Sequence, residues 1–315
     1  MKRILFLLSL IASGFSAAAS NEITPFKYVD IPAPYEIPAS SRFTAKRDAD
    51  GPDIVYYLSK PDVSSYPIAI VCTGSTSRDS ITSVIDIHRY FLQEFLDLGA
   101  AVLTVEQWGI DGNKVNQEEF WNHYTRTQRL IDHKAIIEYL KSNPPVGWNG
   151  NFIFLGASEG GPLVTTLTTL YQDCTITTIN WSGAGDWNWR EELWAFIQAE
   201  PQLKAENSSR EIYDAHMNET LRNPTPNEDY MGMSYKYHAD AFTYPDYEYS
   251  KIHTPFLVVS GALDSIIASC DAFVERAKAE SASITYFRIE DMDHYVRRRP
   301  EIVEKSFEWL KEQLN

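Results

Sequence analysis

NFIFLGASEGG, residues 151–161, opens with four apolar side chains in a row after Asn151: Phe152, Ile153, Phe154 and Leu155. A run of that length and type predicts a central strand buried on both faces of a parallel sheet. It ends in Gly156-Ala157-Ser158-Glu159-Gly160-Gly161, and 162–171 has the composition of an apolar, Thr-rich helix. Strand, G-x-S-x-G and helix in that order are the context of a nucleophile elbow. A serine on so sharp a turn takes a strained backbone conformation while strand and helix pass close together. Gly156 and Gly160 therefore have room for almost no side chain. The turn presents Ser158 Oγ at a helix N-terminus, where backbone N–H groups and the helix dipole favour an oxyanion. Without partners for the serine, the same motif is only a glycine-rich turn.

On the N-terminal side, 41–46 and 53–59 read as strands joined by a turn at 48–52, where Ala49-Asp50-Gly51 supplies the hairpin signal. A buried strand is expected at 67–73. The segment 81–98 is spaced as a helix (Ile85, Ile87, Tyr90, Phe91, Phe95, Leu96) that stops before Gly99. A strand at 100–105 and one long helix at 119–141 follow. On the C-terminal side, a strand is expected at 175–181, and then the alternation breaks. The segment 183–251 is rich in Trp, Tyr, Asn, Glu and Pro, with helical patches at 190–199 and 209–222. Alternation resumes with strand 255–260, helix 267–280, strand 284–289 and helix 300–314, whose Pro300 sits in its first turn. This pattern predicts an α/β protein with a mostly parallel, three-layer sheet. The domain spans 41–315, with 183–251 inserted as a helical cap over the strand ends. Ligands of such sheets bind at the carboxyl ends of the strands, where Ser158 falls.

A serine hydroxyl becomes nucleophilic when a base takes its proton, and the base needs a third group to orient it. Of the seven histidines, only His294 lies in a loop just after the last expected core strand. His88, His123 and His133 fall within expected helices and read as packing or surface residues. Asp264 comes immediately past the strand ending at Ser260. Ser158, Asp264 and His294, each following a strand, are thus the candidate catalytic residues. Asp186 is a rival for the acid, being shortly after strand 175–181. Asp291 and Asp293 are too near His294 in sequence to orient its ring and read as turn formers. Glu159 reads as a helix N-terminal carboxylate favoured by the dipole, or alternatively as a substrate contact.

This arrangement resembles the α/β-hydrolase superfamily from about residue 41 onward, with the order nucleophile, acid and base. IHTPFLVVSGALD, residues 252–264, is similar to that superfamily's approach to the acid. EQWGIDG, residues 106–112, is similar to its loop after the fourth strand, with Glu106 and Trp108 where Asp and Arg are usual. After the third strand many members have His-Gly, and this chain has Thr73-Gly74-Ser75-Thr76. The resemblance implies that the backbone N–H groups of Ser75 and Glu159 form an oxyanion hole. It implies a Ser-His-Asp serine hydrolase acting on carboxylic esters or thioesters. A serine peptidase of the prolyl-peptidase kind shares the fold and often a second glycine after the elbow, as Gly161 is here. A binding protein on a hydrolase scaffold is the third reading, and the intact Ser, Asp and His argue against it.

The chain starts with Lys2-Arg3, a short stretch 4–11 that is apolar except for Ser9, and Ala17-Ala18-Ala19-Ser20. That pattern predicts a signal peptide (1–19) cleaved after Ala19, hence export to periplasm or medium, with no stable membrane anchor. A Pro-rich arm (20–40) follows. The chain carries 28 basic and 43 acidic residues, a net charge of −15. Loss of Lys2 and Arg3 takes it to −17. Such a surface disfavours nucleic acid and anionic lipid head groups as partners; the partner that the resemblance implies is a small acyl substrate. Three cysteines, Cys72, Cys174 and Cys270, allow at most one internal disulfide. No metal motif occurs, and no metal or cofactor is expected. The aromatic residues of 183–251 read chiefly as anchors that hold a cap on its core.

Overall fold

The computed structural model describes residues 41–47, 51–77, 81–183, 185–244, 247–280 and 282–315. The expected signal peptide and Pro-rich arm, and 48–50 of the expected hairpin turn, lie outside these residues. Eight strands form the main sheet: β1 (Arg42–Ala45), β2 (Ile54–Ser59), β3 (Tyr66–Cys72), β4 (Ala101–Val105), β5 (Trp148–Ala157), β6 (Thr175–Trp181), β7 (Phe256–Gly261) and β8 (Ile284–Ile289). Their spatial order is β1-β2-β4-β3-β5-β6-β7-β8. β2 runs antiparallel to both β1 and β4, and every other pairing is parallel.

The helices are α1 (Ile85–Asp97), α2 (Gln117–His123), α3 (Arg126–Ser142), α4 (Gly160–Leu170), α5 (Trp189–Ala199), α6 (Pro201–Glu206), α7 (Arg210–Arg222), α8 (Tyr235–Phe242), α9 (Ile267–Ala279) and α10 (Pro300–Gln313). The apolar run in β5 is continuous because both its faces are covered. Phe152 and Phe154 pack with Ile136, Leu140, Val164 and Leu167 of α3 and α4. Ile153 and Leu155 point the other way, into a layer with Phe91, Phe95, Trp181, Phe307 and Leu310. The result is three layers, helix, sheet and helix, as the alternation predicts.

One expected element divides. The long helix at 119–141 is two helices, α2 and α3, separated by Tyr124 and Thr125. Thr125 is fully extended (φ −148°, ψ 159°), and its side chain accepts the N–H of Gln128, so it caps a new helix. An apolar count along 119–141 passes over a Thr at that position, because the cap is a polar, local feature. The break turns the Tyr124 side chain inward, and it is buried. Between β6 and β7 the chain forms α5 to α8, two of which, α6 and α8, are too short for periodicity to reveal. α8 starts at Ser234, whose hydroxyl accepts the Tyr237 N–H. Leu193, Ile197, Leu203, Tyr213 and Met217 give these helices a small core of their own. Tyr237, Met233 and Ala241 join Phe120, Trp121 and Tyr124 of the α2 region, seating α8 on the main domain.

Three histidines are packing residues. His88 is wholly buried, with Ser59 Oγ at 2.9 Å from Nε2 and Thr104 Oγ1 at 3.0 Å from Nδ1. Burial drives its pKa down to about 3, and drives those of His133 and His238 down to about 4. All three stay neutral in the folded state while the unfolded chain takes up protons below 6.5. Stability therefore falls as pH falls from 6.5 toward 4, by about 1.4 kcal/mol per pH unit for each such histidine. Urea unfolding across this range should show that loss, with a slope smaller by about one histidine's share in His88→Asn. An unchanged slope in the variant would contradict the assignment.

Candidate active site

β5 ends at Ala157, and Ser158 follows with φ +52°, a left-handed backbone for a residue that has a side chain. The turn is pinned from two directions. Ser158 N–H donates to Trp181 O on β6 (2.9 Å), and Gly161 N–H donates to Ser158 O (2.8 Å). The crowding expected at the elbow glycines is present. A Cβ on Gly160 would run into the Cys72 carbonyl of β3, and one on Gly156 into the Gly160 backbone and Val164. With both neighbours stripped to glycine, strand and helix close to backbone contact and force the serine out above the sheet edge.

Asp264 and His294 arrive at the same edge, from the loops after β7 and β8. His294 Nδ1 lies 2.8 Å from Asp264 Oδ2, and Nε2 lies 3.0 Å from Ser158 Oγ. A carboxylate only accepts, so Nδ1 carries the proton and Nε2 presents its lone pair to the serine hydroxyl. The Asp264 side chain is 1% exposed, against 32% for His294. Burial opposes a charge on His294, but Asp264, with help from Asp293 and Glu192, outweighs it and raises the imidazole pKa above its ordinary value. Asp264 is fixed in turn: its Oδ1 accepts the Ile266 N–H at 3.2 Å. The rival Asp186 accepts from the Tyr249 hydroxyl and from Arg276 instead, away from His294. Asp293 accepts the Tyr295 N–H (2.8 Å) as a turn residue.

No protein-family model matches the sequence, and no curated protein does. Solved structures match in their backbone. The chain superimposes on the Est1E protein of Butyrivibrio proteoclasticus at TM-score 0.53 and 16% identity, covering 87% of this chain and 99% of that one. With alpha/beta hydrolase domain-containing protein 10 from mouse the TM-score is 0.56 at 17% identity, over 87% and 100%. With the Pyrococcus horikoshii acylaminoacyl peptidase it is 0.57 at 14%, over 86% of this chain and 40% of that one. This chain has the α/β-hydrolase fold. At such identities the likeness speaks for architecture alone.

In this α/β-hydrolase scaffold the two loops that carry Ser75 and Glu159 are tied together by one arginine. Arg129 of α3 donates from Nη1 to Glu159 Oε1 (2.6 Å) and from Nη2 to Thr73 O (2.7 Å) and Thr73 Oγ1 (3.2 Å). The Tyr124 hydroxyl adds a second tie, donating to Glu159 Oε2 (2.7 Å) while accepting the Thr76 N–H (3.0 Å). Tyr237 from the cap also donates to Glu159 Oε2, at 2.8 Å. The loop runs against the nucleophile: a Cβ on Gly74 would lie 3.2 Å from Ser158 Cβ. Among the described residues, neither Ser75 N–H nor Glu159 N–H donates to a protein acceptor. Both stay available at the rim beside Ser158.

Glu159 stands at the N-terminus of α4, as expected, and its side chain is buried among partners from other elements. Burial opposes its negative charge, and Arg129, Arg126 and the Tyr124 hydroxyl overcome it, holding its pKa below the usual carboxylate range. Arg129, Tyr124 and Tyr237 escaped the sequence reading because each comes from a different element with no motif around it. Glu106, in the loop after β4, is buried and accepts from Val84 N–H (3.1 Å) and Gly112 N–H (3.2 Å), so it closes that loop. All three cysteines are free thiols. Among the described residues no cluster of His, Cys, Asp and Glu is placed to hold a metal, and no helix is long and apolar enough to cross a membrane.

Breaking the Arg129–Glu159 pair by one partner leaves a buried charge uncompensated. Glu159→Gln and Arg129→Met should each cost about 3–5 kcal/mol of unfolding free energy. The double variant should cost clearly less than their sum, read by urea denaturation. Additive losses would mean that the two side chains are not coupled.

Proposed function

We propose that this protein is a serine hydrolase that cleaves a carboxylic ester or thioester. The observation that carries the reading is the hydrogen-bonded line Asp264–His294–Ser158, with the serine on a left-handed turn. His294 Nε2 takes the Ser158 proton as Oγ attacks the acyl carbon. Asp264 holds the ring and favours the imidazolium that forms. The N–H groups of Ser75 and Glu159 receive the developing oxyanion. Each such donor is worth roughly 10²–10³ in rate in serine hydrolases. His294 then protonates the leaving group, and a water that it activates releases the acyl group from Ser158. The N-terminal pattern supports export with cleavage after Ala19, which intact mass of the purified mature protein would show as a chain starting at Ser20.

A fluorophosphonate probe should label the protein at Ser158 and not label Ser158→Ala. p-Nitrophenyl acyl esters should be turned over, and aminoacyl amides should not. No labelling, or labelling that survives Ser158→Ala, removes the mechanism.

The pH profile is a separate check. His294 must be neutral to accept a proton, and Asp264 raises its pKa above 6.5. kcat/KM should therefore fall as pH falls, with a midpoint above 6.5. Asp264→Asn should move that midpoint down and lower kcat by about 10⁴. A midpoint that does not respond to Asp264→Asn would separate the carboxylate from the base.

A further inference from the structure

Arg126, at the first position of α3, is 9% exposed and stands where cap and main domain meet. One face of its guanidinium lies over the Trp189 ring of α5, 4.6 Å from the centroid. Its Nε donates to the Tyr237 hydroxyl at 3.3 Å, and that hydroxyl donates onward to Glu159 Oε2. Among the described residues the two Nη nitrogens have no hydrogen-bond acceptor. They are the donors that grip a carboxylate in a two-pronged fashion. Three carboxylates stand nearby, and each is committed elsewhere. Glu159 takes Arg129 and two tyrosines. Glu192 accepts from Ser269 Oγ at 2.8 Å. Asp240 accepts the Thr127 N–H at 3.0 Å.

The two Nη atoms are not among the fully buried polar atoms that lack a partner, so this edge of the guanidinium reaches solvent. Here a face and one nitrogen are used, and the outer edge is left over. Arg126 also lines a narrow crevice with Arg129, Glu159, Pro162, Leu163 and Tyr244, next to the residue that follows the nucleophile. The crevice has no room for a water molecule as it stands, and Tyr244 forms one of its walls. That side chain's hydroxyl is held to Thr166 Oγ1 at 3.3 Å.

Building on the hydrolase reading, we infer that Arg126 receives an anionic group of the substrate, so that the preferred esters carry a carboxylate on the acyl side. The chain's overall charge of −15 repels anions at a distance. Over the last few ångströms that repulsion is screened, and the local contact decides. Trp189 and Tyr237 pre-set the guanidinium plane, so little side-chain freedom remains to be lost on binding.

The test compares half-esters with neutral esters of similar size: monomethyl succinate, glutarate and adipate against methyl pentanoate and methyl hexanoate. Wild-type protein should favour at least one half-ester by tenfold or more in kcat/KM, and added salt should shrink that preference. The ratio should fall by roughly tenfold to a hundredfold in Arg126→Met and stand between in Arg126→Lys. Fluorophosphonate labelling of Ser158 reports that each variant keeps its site folded. A wild-type ratio at or below one for every half-ester, or a ratio unmoved by Arg126→Met, overturns the inference while leaving the hydrolase reading in place. If no ester is turned over, that reading fails on its own. Calorimetry of the half-esters on Ser158→Ala then decides the anion site: binding lost in Ser158→Ala/Arg126→Met supports it, and no binding to Ser158→Ala overturns it.

Discussion

The left-handed backbone at Ser158 is the constraint on which the site rests. A residue with a side chain adopts φ +52° at a cost, and the cost is met by what surrounds it. Trp181 O accepts its N–H, Ser158 O accepts from Gly161, and β3 presses its Cys72 carbonyl against Gly160. Those contacts come from strands whose apolar side chains fill both layers of the core. The strain at the serine is therefore held by the sheet as a whole, and loosening β3, β5 or β6 would release it.

A second constraint acts sideways. Arg129 grips Thr73 and Glu159 together, and Tyr124 bridges Thr76 to the same carboxylate. The loop after β3 and the first turn of α4 are thus positioned relative to each other before any ligand arrives. An oxyanion hole made of main-chain donors depends on such pre-positioning, because the donors themselves have no side chain to adjust. The loop has no His-Gly pair after β3, and the arginine clamp gives it a different means of staying in place. Tyr237 extends the same network to α8, one of the helices between β6 and β7.

The elements that could be read from the sequence were those whose signal is local. The two-sided apolar run of β5, the glycines at 156 and 160, and the strand-then-loop positions of Asp264 and His294 are each visible within a dozen residues. The boundary between α2 and α3 was not visible, because Thr125 caps a helix only when the chain there is extended. α6 and α8 were not visible because six to eight residues hold too little periodicity. That Asp264 rather than Asp186 meets His294 is decided by packing, since Asp186 is taken by Tyr249 and Arg276.

By itself, then, the sequence determined the layered α/β architecture, the elbow, and three residue types at the correct strand ends, since hydrophobic periodicity and turn chemistry act over short spans of chain. Only the tertiary structure decided that His294 reaches both Ser158 and Asp264, that Glu159 is buried against Arg129, and that Arg126 ends in a guanidinium edge with no protein acceptor among the described residues. These are pairings between residues as far as 136 positions apart. Charge, hydrogen bonding and burial act through space, and nothing in a linear order of residues specifies which distant groups packing will bring within 3 Å.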